Sequence, residues 1–347
     1  MDFTPDEGQQ AVADVVTSVL ARDNSWEALV DGGVTALGVP ERLGGDGVGL
    51  AQIATALNEI GRHGTVGPAL ATLGCTAALL ELASEAQQDR YLGGVAKGAV
   101  LTFALNEPGE SLPDRPSTAL SGNRITGTKI AVGYAGQADW ILVSTDGGVV
   151  VVSGSSEGLT VTKTPTSNGS DEFVVCFDNV RVDECDVLVG ASTRRLNQLV
   201  LAVTGAFVSG LVAGALRLTA DYVATREQFG RPLSTFQTVA AQLSEIYIAS
   251  RTISLLATSA VWLLSEGQSD APESHADLVG ELAVLGYWLT SQAPPAMRTC
   301  HHLHGGMGMD ITYPMNRYYS AVKDLTRMLG GPSHRLDLVG ASTVAGA

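Results

Sequence analysis

Residues 226–237 read Arg226-Glu-Gln-Phe-Gly-Arg-Pro-Leu-Ser-Thr-Phe-Gln237, and an apolar-periodic segment follows them directly. Gly230 and Pro232 break one helix, and Ser234 or Thr235 is placed to cap the next. Phe236, Val239, Ala240, Leu243, Ile246, Tyr247 and Ile253 form the predicted core stripe of that second helix, with Gln237, Ser244 and Arg251 on a neighbouring polar stripe. An Arg beside an aromatic ring and a helix N-terminus suits a phosphorylated, planar ligand, because guanidinium forks onto phosphate and unpaired N–H groups attract anions. The same residues also describe an ordinary helix-turn-helix corner with a surface Arg, so the physics of the turn alone does not decide between the two.

Outward from this corner the chain changes texture twice. Asp6 to Leu20 and Leu50 to Ile60 are amphipathic, and Cys75 to Leu82 and Glu85 to Leu92 read as shorter helices. The glycine-rich run from Gly38 to Gly49 lacks a preceding strand and a following βαβ unit, so it is a connector rather than a dinucleotide loop. From Val100 the runs Val100–Leu105, Asp139–Ser144, Val149–Val152, Leu159–Thr162 and Glu172–Phe177 are short and rich in β-branched residues, with Gly, Asn and Asp turns between them. Helices return from Asn197, and the polar interval Glu266–Ser274 separates two of them. The expected organisation is α+β: a helical domain over 1–98, a β domain over 99–190 and a second helical domain over 191–347.

Composition narrows the classes. A chain of 347 residues buries a large core across two or three domains. Its formal charge of -15 repels nucleic-acid phosphates. Cys75, Cys176, Cys185 and Cys300 have neither C-x-x-C spacing nor the density of a secreted disulfide domain, and no export signal opens the chain, so a cytoplasmic protein with reduced thiols is expected. Leu196 to Leu216 carries no charge and contains Gly210-Leu-Val-Ala-Gly214, a small-x-x-x-small pattern seen in packed membrane spans. Asn197, Gln198, Thr204 and Ser209 interrupt it and no aromatic belt flanks it, which favours a buried helix over a span.

The run Arg226–Gln237 resembles the signature corner of the acyl-CoA dehydrogenase family, and the helix–sheet–helix order extends that resemblance over essentially the whole chain. It implies an N-terminal helical domain, a β-barrel-like middle domain and a C-terminal four-helix bundle. In that family the Arg, the Phe and the later Gln contact the adenosine diphosphate half of an FAD held mainly by a neighbouring subunit. Carried over, Arg226, Gln228, Phe229 and Gln237 are cofactor-binding, and the corner faces a partner chain. Cys300-His-His-Leu-His-Gly-Gly-Met-Gly308 is similar to the family's Gln-x-x-Gly-Gly-x-Gly loop, which adds His302, Gly305 and Gly306, with His302 in place of the Gln. The three histidines and the cysteine of this loop are too crowded along the chain to close a zinc tetrahedron, so no metal site is expected.

Other motifs of the family are missing. Where its members read Thr-Glu-Pro-Gly-x-Gly-Ser-Asp, to hold the flavin ring and the acyl thioester, this chain reads Asn106-Glu-Pro-Gly-Glu-Ser-Leu-Pro113. Where a Trp-Ile-Thr or Trp-Ile-Ser packs on the flavin, Ala131 and Gly133 stand at the aromatic and hydroxyl positions; the alternative reading is that the space so vacated admits a bulkier ligand. Removing a proton alpha to a thioester needs a carboxylate. The family's two locations for that Glu correspond here to Gly330 and Ser250, which leaves Glu245 as a weak substitute and no catalytic residue of the chain's own.

This pattern resembles the shortened, base-less β subunit of actinobacterial α2β2 acyl-CoA dehydrogenases acting on steroid side-chain CoA esters. The resemblance implies a longer partner subunit carrying the Glu, FAD shared between the two, an acyl-CoA substrate from cholesterol or steroid catabolism, and an electron-transfer protein as acceptor. A homomeric dehydrogenase with a displaced base and a non-enzymatic binding protein on the same fold are the alternatives.

Overall fold

The computed structural model describes residues 3–167, 169–266 and 272–345. Five helices open the chain: α1 (Glu7–Arg22), α2 (Trp26–Asp31), α3 (Leu50–Arg62), α4 (Ala69–Leu82) and α5 (Glu85–Leu92). Asp6 and Ser84 close capping boxes at the starts of α1 and α5, which satisfies N–H groups that helix geometry leaves unpaired. The connector between α2 and α3 is compact. A Cβ at Gly45 would lie 2.1 Å from the Val39 carbonyl oxygen, so the loop folds back on itself only because that residue is glycine.

Eight strands follow: β1 (Leu101–Ala104), β2 (Ala119–Ser121), β3 (Arg124–Gly133), β4 (Trp140–Thr145), β5 (Gly148–Ser153), β6 (Leu159–Thr164), β7 (Glu172–Arg181) and β8 (Val187–Leu188). They form two four-stranded sheets, ordered β1-β4-β5-β8 and β2-β3-β7-β6, around a core that includes Ile125, Ile141, Val143, Val175 and Phe177. The five expected strands are all present. The ten-residue β3 is an addition, because Gly127 and Lys129 break its apolar alternation.

Both exceptions have a physical cause. A Cβ at Gly127 would meet Thr118 at 2.7 Å, and Lys129 is fully buried. Lys129 Nζ donates to Glu107 Oε1 at 2.8 Å, to Ser144 Oγ at 3.0 Å and to the Leu105 carbonyl at 3.2 Å. Glu107 also accepts from the backbone N–H and hydroxyl of both Ser117 and Thr118. Burial would raise its pKa, but these bonds outweigh it and hold the carboxyl down at about 2. Glu107, the acid of the sequence motif, is thus the polar centre that fastens the two sheets together through Lys129.

The remaining helices are α6 (Thr193–Thr225), α7 (Gln237–Glu266), α8 (Pro272–Ser291), α9 (Ala293–Leu303), α10 (Met315–Met328) and α11 (Gly331–Ala345), with a two-residue hairpin, β9 (Glu227–Gln228) and β10 (Arg231–Pro232), between α6 and α7. The apolar window of α6 is long enough to cross a membrane, yet 89% of it is buried inside the fold. Its glycines permit this. A Cβ at Gly210 would lie 1.9 Å from the Asn58 carbonyl oxygen and one at Gly214 2.2 Å from that of Arg62, so α6 and α3 touch backbone to backbone. The small-x-x-x-small motif serves close helix packing, whose geometry is the same in either solvent.

Two details of α7 differ from expectation. Neither Ser234 nor Thr235 caps it: both lie in a 3-10 turn, Thr235 Oγ1 donates to the Pro232 carbonyl, and the Phe236 carbonyl opens the helix by accepting from the Ala240 N–H. Ile246 and Ile253 are buried as predicted, whereas Ala240 and Tyr247 are exposed, because α6 is met by the stripe through Ile246, Ala249, Ile253 and Ala257. Within the polar interval Glu266–Ser274, residues 267–271 lie outside the described residues.

Two substitutions test this packing. Gly210→Ala should force α3 and α6 apart and cost about 1–3 kcal/mol in denaturant unfolding, as overpacking does. Lys129→Met should cost about 3–5 kcal/mol by leaving Glu107 buried without its cation. Because the folded pKa of Glu107 is depressed, its contribution is complete above about pH 4.5 and is lost as pH falls toward 2; a pH-dependent melt of wild type against Lys129→Met reads the difference.

Candidate functional site

The last turn of α6 and the segments beyond it gather the residues singled out at the corner. Arg226 caps α6, its N–H donating to the Tyr222 carbonyl at 2.8 Å, and its guanidinium is solvent-exposed. Among the described residues that guanidinium has no ion pair or hydrogen bond, whereas Arg231 lies over the Phe236 ring at 4.0 Å. The hairpin between them turns through Phe229 (φ 54) and Gly230 (φ 76). Two successive left-handed residues match a tight hairpin turn, but the left-handed region is costly for a bulky side chain. Phe229 is nonetheless held at the tip, 90% exposed and edge-on to Phe236. The corner thus presents a strained, exposed aromatic and, among the described residues, an unpaired guanidinium at the surface. Gln228 and Gln237 are exposed on the same corner.

The glycine loop lies at the same end of α6. His304 stacks on Tyr222 with ring centroids 4.5 Å apart, one helical turn before Arg226, and the 3-10 turn Gly305–Met309 starts directly after it. Gly305 has φ +56, which accounts for that glycine by conformation alone. Gly306 has no such need, and a Cβ there would meet nothing within 4 Å. Nothing among the described residues demands glycine at 306, and its backbone lies open at the surface. The unpaired guanidinium, the exposed ring and this open backbone fit the phosphate and planar parts of a nucleotide. His302 is exposed beside them, while His301 and His304 turn inward to Tyr319 and to Thr219 and Tyr313.

The second region is where the helical and sheet layers meet. A cavity of about 130 Å³ there is lined by Leu70, Phe103, Ala131, Gly133, Tyr134 and Phe207 among others. Ligand pockets span about 300–1,000 Å³, so the space vacated at Ala131 and Gly133 has not become a larger chamber. The Ser167 N–H donates to the Asp324 carboxylate, and Arg327 pairs with Glu172, so the sheet layer is tied to α10 beside the cavity.

The segment at Ser111–Pro113 and the turn at Gly330 lie against each other. Asn106 Nδ2 donates to the Met328 carbonyl at 2.7 Å, Asn106 Oδ1 accepts from the Leu112 N–H, and Asn197 of α6 donates to the Leu112 and Pro113 carbonyls. A Cβ at Gly330 would sit 3.0 Å from Ser111 Cβ and 2.6 Å from the His334 ring. Ser250 is 5% exposed, whereas Glu245 is exposed. Five residues along a helix rotate a side chain by about 140°, so Glu245 points away from the side that Ser250 faces. No sequence signal announced Tyr134, Asn197 or His304 as neighbours of these sites, since their partners lie 37 to 85 positions away or, like Tyr313 for His304, beyond a turn.

Comparison with known proteins agrees with this architecture. Residues 2–99 match the acyl-CoA dehydrogenase N-terminal domain and residues 197–342 the acyl-CoA dehydrogenase C-terminal domain. The chain is 67% identical over 342 residues to acyl-CoA dehydrogenase FadE28 of Mycobacterium tuberculosis, covering 98% of each. It superposes on a chain of the ChsE4-ChsE5 complex from Mycobacterium tuberculosis with a TM-score of 0.87 and 28% identity, covering 99% of each. A chain of the Tcur3481-Tcur3483 steroid ACAD gives a TM-score of 0.86, 28% identity and 98% coverage of each. With its three-layer order, its exposed corner and this similarity along its length, the chain belongs to the acyl-CoA dehydrogenase family.

Proposed function

We propose that this chain is the non-catalytic partner subunit of a heteromeric, FAD-dependent acyl-CoA dehydrogenase, and that it supplies contacts to the adenine and pyrophosphate half of an FAD held by a longer subunit. The observation that carries the reading is the contact between Ser111 and the Gly330 turn. In this family the thioester and flavin ring lie by the segment at 106–113 and the Glu lies on that turn; here the two segments pack together and the adjoining cavity holds about 130 Å³. On this reading the flavin ring is held by the longer subunit, and the narrow cavity of this chain supports that. The nucleotide half is then contacted by Arg226, Gln228, Phe229, Gln237, His302, Gly305 and Gly306, a reading supported by their exposure and by the open backbone at Gly306. When bound, FAD accepts the hydride from the β carbon of the acyl chain; this chain's residues orient the nucleotide, and the proton is taken by the partner's carboxylate.

The heteromeric arrangement is supported by the similarity to the ChsE4-ChsE5 complex, and a steroid side-chain CoA ester as substrate by the similarity to the Tcur3481-Tcur3483 steroid ACAD. We carry over the domain limits 1–98, 99–190 and 191–347 as part of this proposal. A homomeric enzyme with Glu245 as base is disfavoured by the outward position of that side chain.

Flavin absorbance and acyl-CoA-dependent dye reduction, measured for this chain alone and after co-expression with a longer homologous subunit, test the reading. The isolated chain should be colourless and inactive, and the complex yellow and active; turnover by the isolated chain would refute it. Arg226→Ala should weaken FAD in the complex by about 10- to 150-fold while leaving the fold intact, the loss expected of one charge-assisted hydrogen bond. Gly330→Glu should destabilise the chain without creating activity, since Gly330 has φ +85 and a side chain there collides with His334 and Ser111.

A further inference from the structure

His304 begins the nucleotide loop, and both of its ring nitrogens are engaged. Nε2 lies 3.2 Å from Thr219 Oγ1 on α6, and Nδ1 lies 3.1 Å from the Tyr313 hydroxyl before α10. The Thr219 hydroxyl donates its one proton to the Ala215 carbonyl at 2.7 Å, so toward His304 it acts as an acceptor. With the hydroxyl proton given to the carbonyl, the ring proton is assigned to Nε2. Nδ1 is then bare and accepts from the Tyr313 O–H. One tautomer satisfies every partner, and the ring that adopts it is 1% exposed and stacked on Tyr222.

We infer that His304 is the positioning residue of the nucleotide loop: the Tyr313–His304–Thr219 relay locks the Gly305–Gly306 backbone to the end of α6 that carries Arg226. The inference rests on the proposed nucleotide role of that loop. His304 is the last residue before the left-handed Gly305, so its side chain sets the direction in which the open backbone leaves α9. Its own N–H closes α9 on the Cys300 carbonyl. Without the relay, the glycine pair would hang from α9 alone, and two glycines have more backbone freedom than any other pair. The relay instead references the loop to α6, whose next turn presents the guanidinium, and the two phosphate-binding elements become one rigid unit.

The groups facing the ring are Thr219 and Tyr222 from α6, Cys300 and His301 from α9, and Tyr313 from the segment before α10. None is a carboxylate that would favour an imidazolium. Burial, assisted by His301, pushes the pKa of His304 down to about 4.

Selective ring-nitrogen NMR on the isolated chain should find His304 as the Nε2–H tautomer, unchanged from pH 8 to pH 5. Hydrogen exchange across residues 305–309, and FAD affinity of the assembled complex, are then compared for His304→Ala, His304→Gln and Tyr313→Phe. His304→Ala should speed exchange of the loop and weaken FAD about tenfold, with exchange in the middle of α6 unchanged. His304→Gln keeps a donor for Thr219 and should restore affinity to within about threefold, which a purely space-filling role does not predict; Tyr313→Phe should fall between. An Nδ1–H tautomer, ordinary titration near pH 6.5, or wild-type loop exchange in His304→Ala would overturn the inference. Arg226→Ala separates the two levels: if it too leaves FAD unchanged, the nucleotide reading fails, while the NMR and exchange results still decide whether His304 fixes the loop.

Discussion

The backbone contact between α3 and α6 is the constraint on which the rest of the structure depends. Carbonyl oxygens of Asn58 and Arg62 sit where side chains at Gly210 and Gly214 would be, and the Phe207 carbonyl lies 2.3 Å from where a Cβ on Gly61 would be. Because the helices meet without intervening side chains, α6 runs through the middle of the molecule with little freedom to shift. At about 1.5 Å per residue its 33 residues span about 50 Å. Every part of the two functional regions is referenced to it: Asn197 near its start ties down Ser111–Pro113, Phe207 lines the cavity, and Thr219, Tyr222 and Arg226 at its end carry the nucleotide loop and corner.

Under the proposed function, one scaffold preserves one half of a binding site and loses the other. The nucleotide half would need only an exposed cation, an aromatic tip and open glycine backbone, all held by one helix end. The ring and thioester half needs a gap between the sheet layer and the α10–α11 turn. Here Asn106 bridges that gap to the Met328 carbonyl, while Arg327 and Asp324 fasten α10 to the sheet loops. Glu107 and Lys129 at the same time hold the sheet layer together through a buried ion pair.

The uncovered side of α7 bears on assembly. Only 39% of its apolar window is buried, against 89% for α6, and Tyr247, Ile248, Leu255 and Trp262 are exposed along it. This face begins at Gln237, on the corner that carries Arg226, so the nucleotide surface and the uncovered helix face are continuous. That continuity is consistent with a subunit whose bound nucleotide belongs to a neighbour.

Much of this was legible in the sequence, and the reason is local. Apolar period, capping residues and turn chemistry act within one or two turns, so the helix–sheet–helix order, the buried α6 and the break at Gly230 and Pro232 follow from neighbours along the chain. That Gly330 and Ala131 carry neither a carboxylate nor an aromatic ring was also readable, because residue identity needs no coordinates. What the tertiary structure decided was long-range or steric. The strand β3 was hidden because the reason for Lys129 is Glu107 and the reason for Gly127 is Thr118, each on another strand or loop. The exposure of Tyr247 depended on which face of α7 met α6. The tautomer of His304 followed from a hydroxyl 85 positions away that had already given its proton to a carbonyl. A sequence states which groups are available; only folding brings a donor within 3 Å of its acceptor and so determines which of them are used.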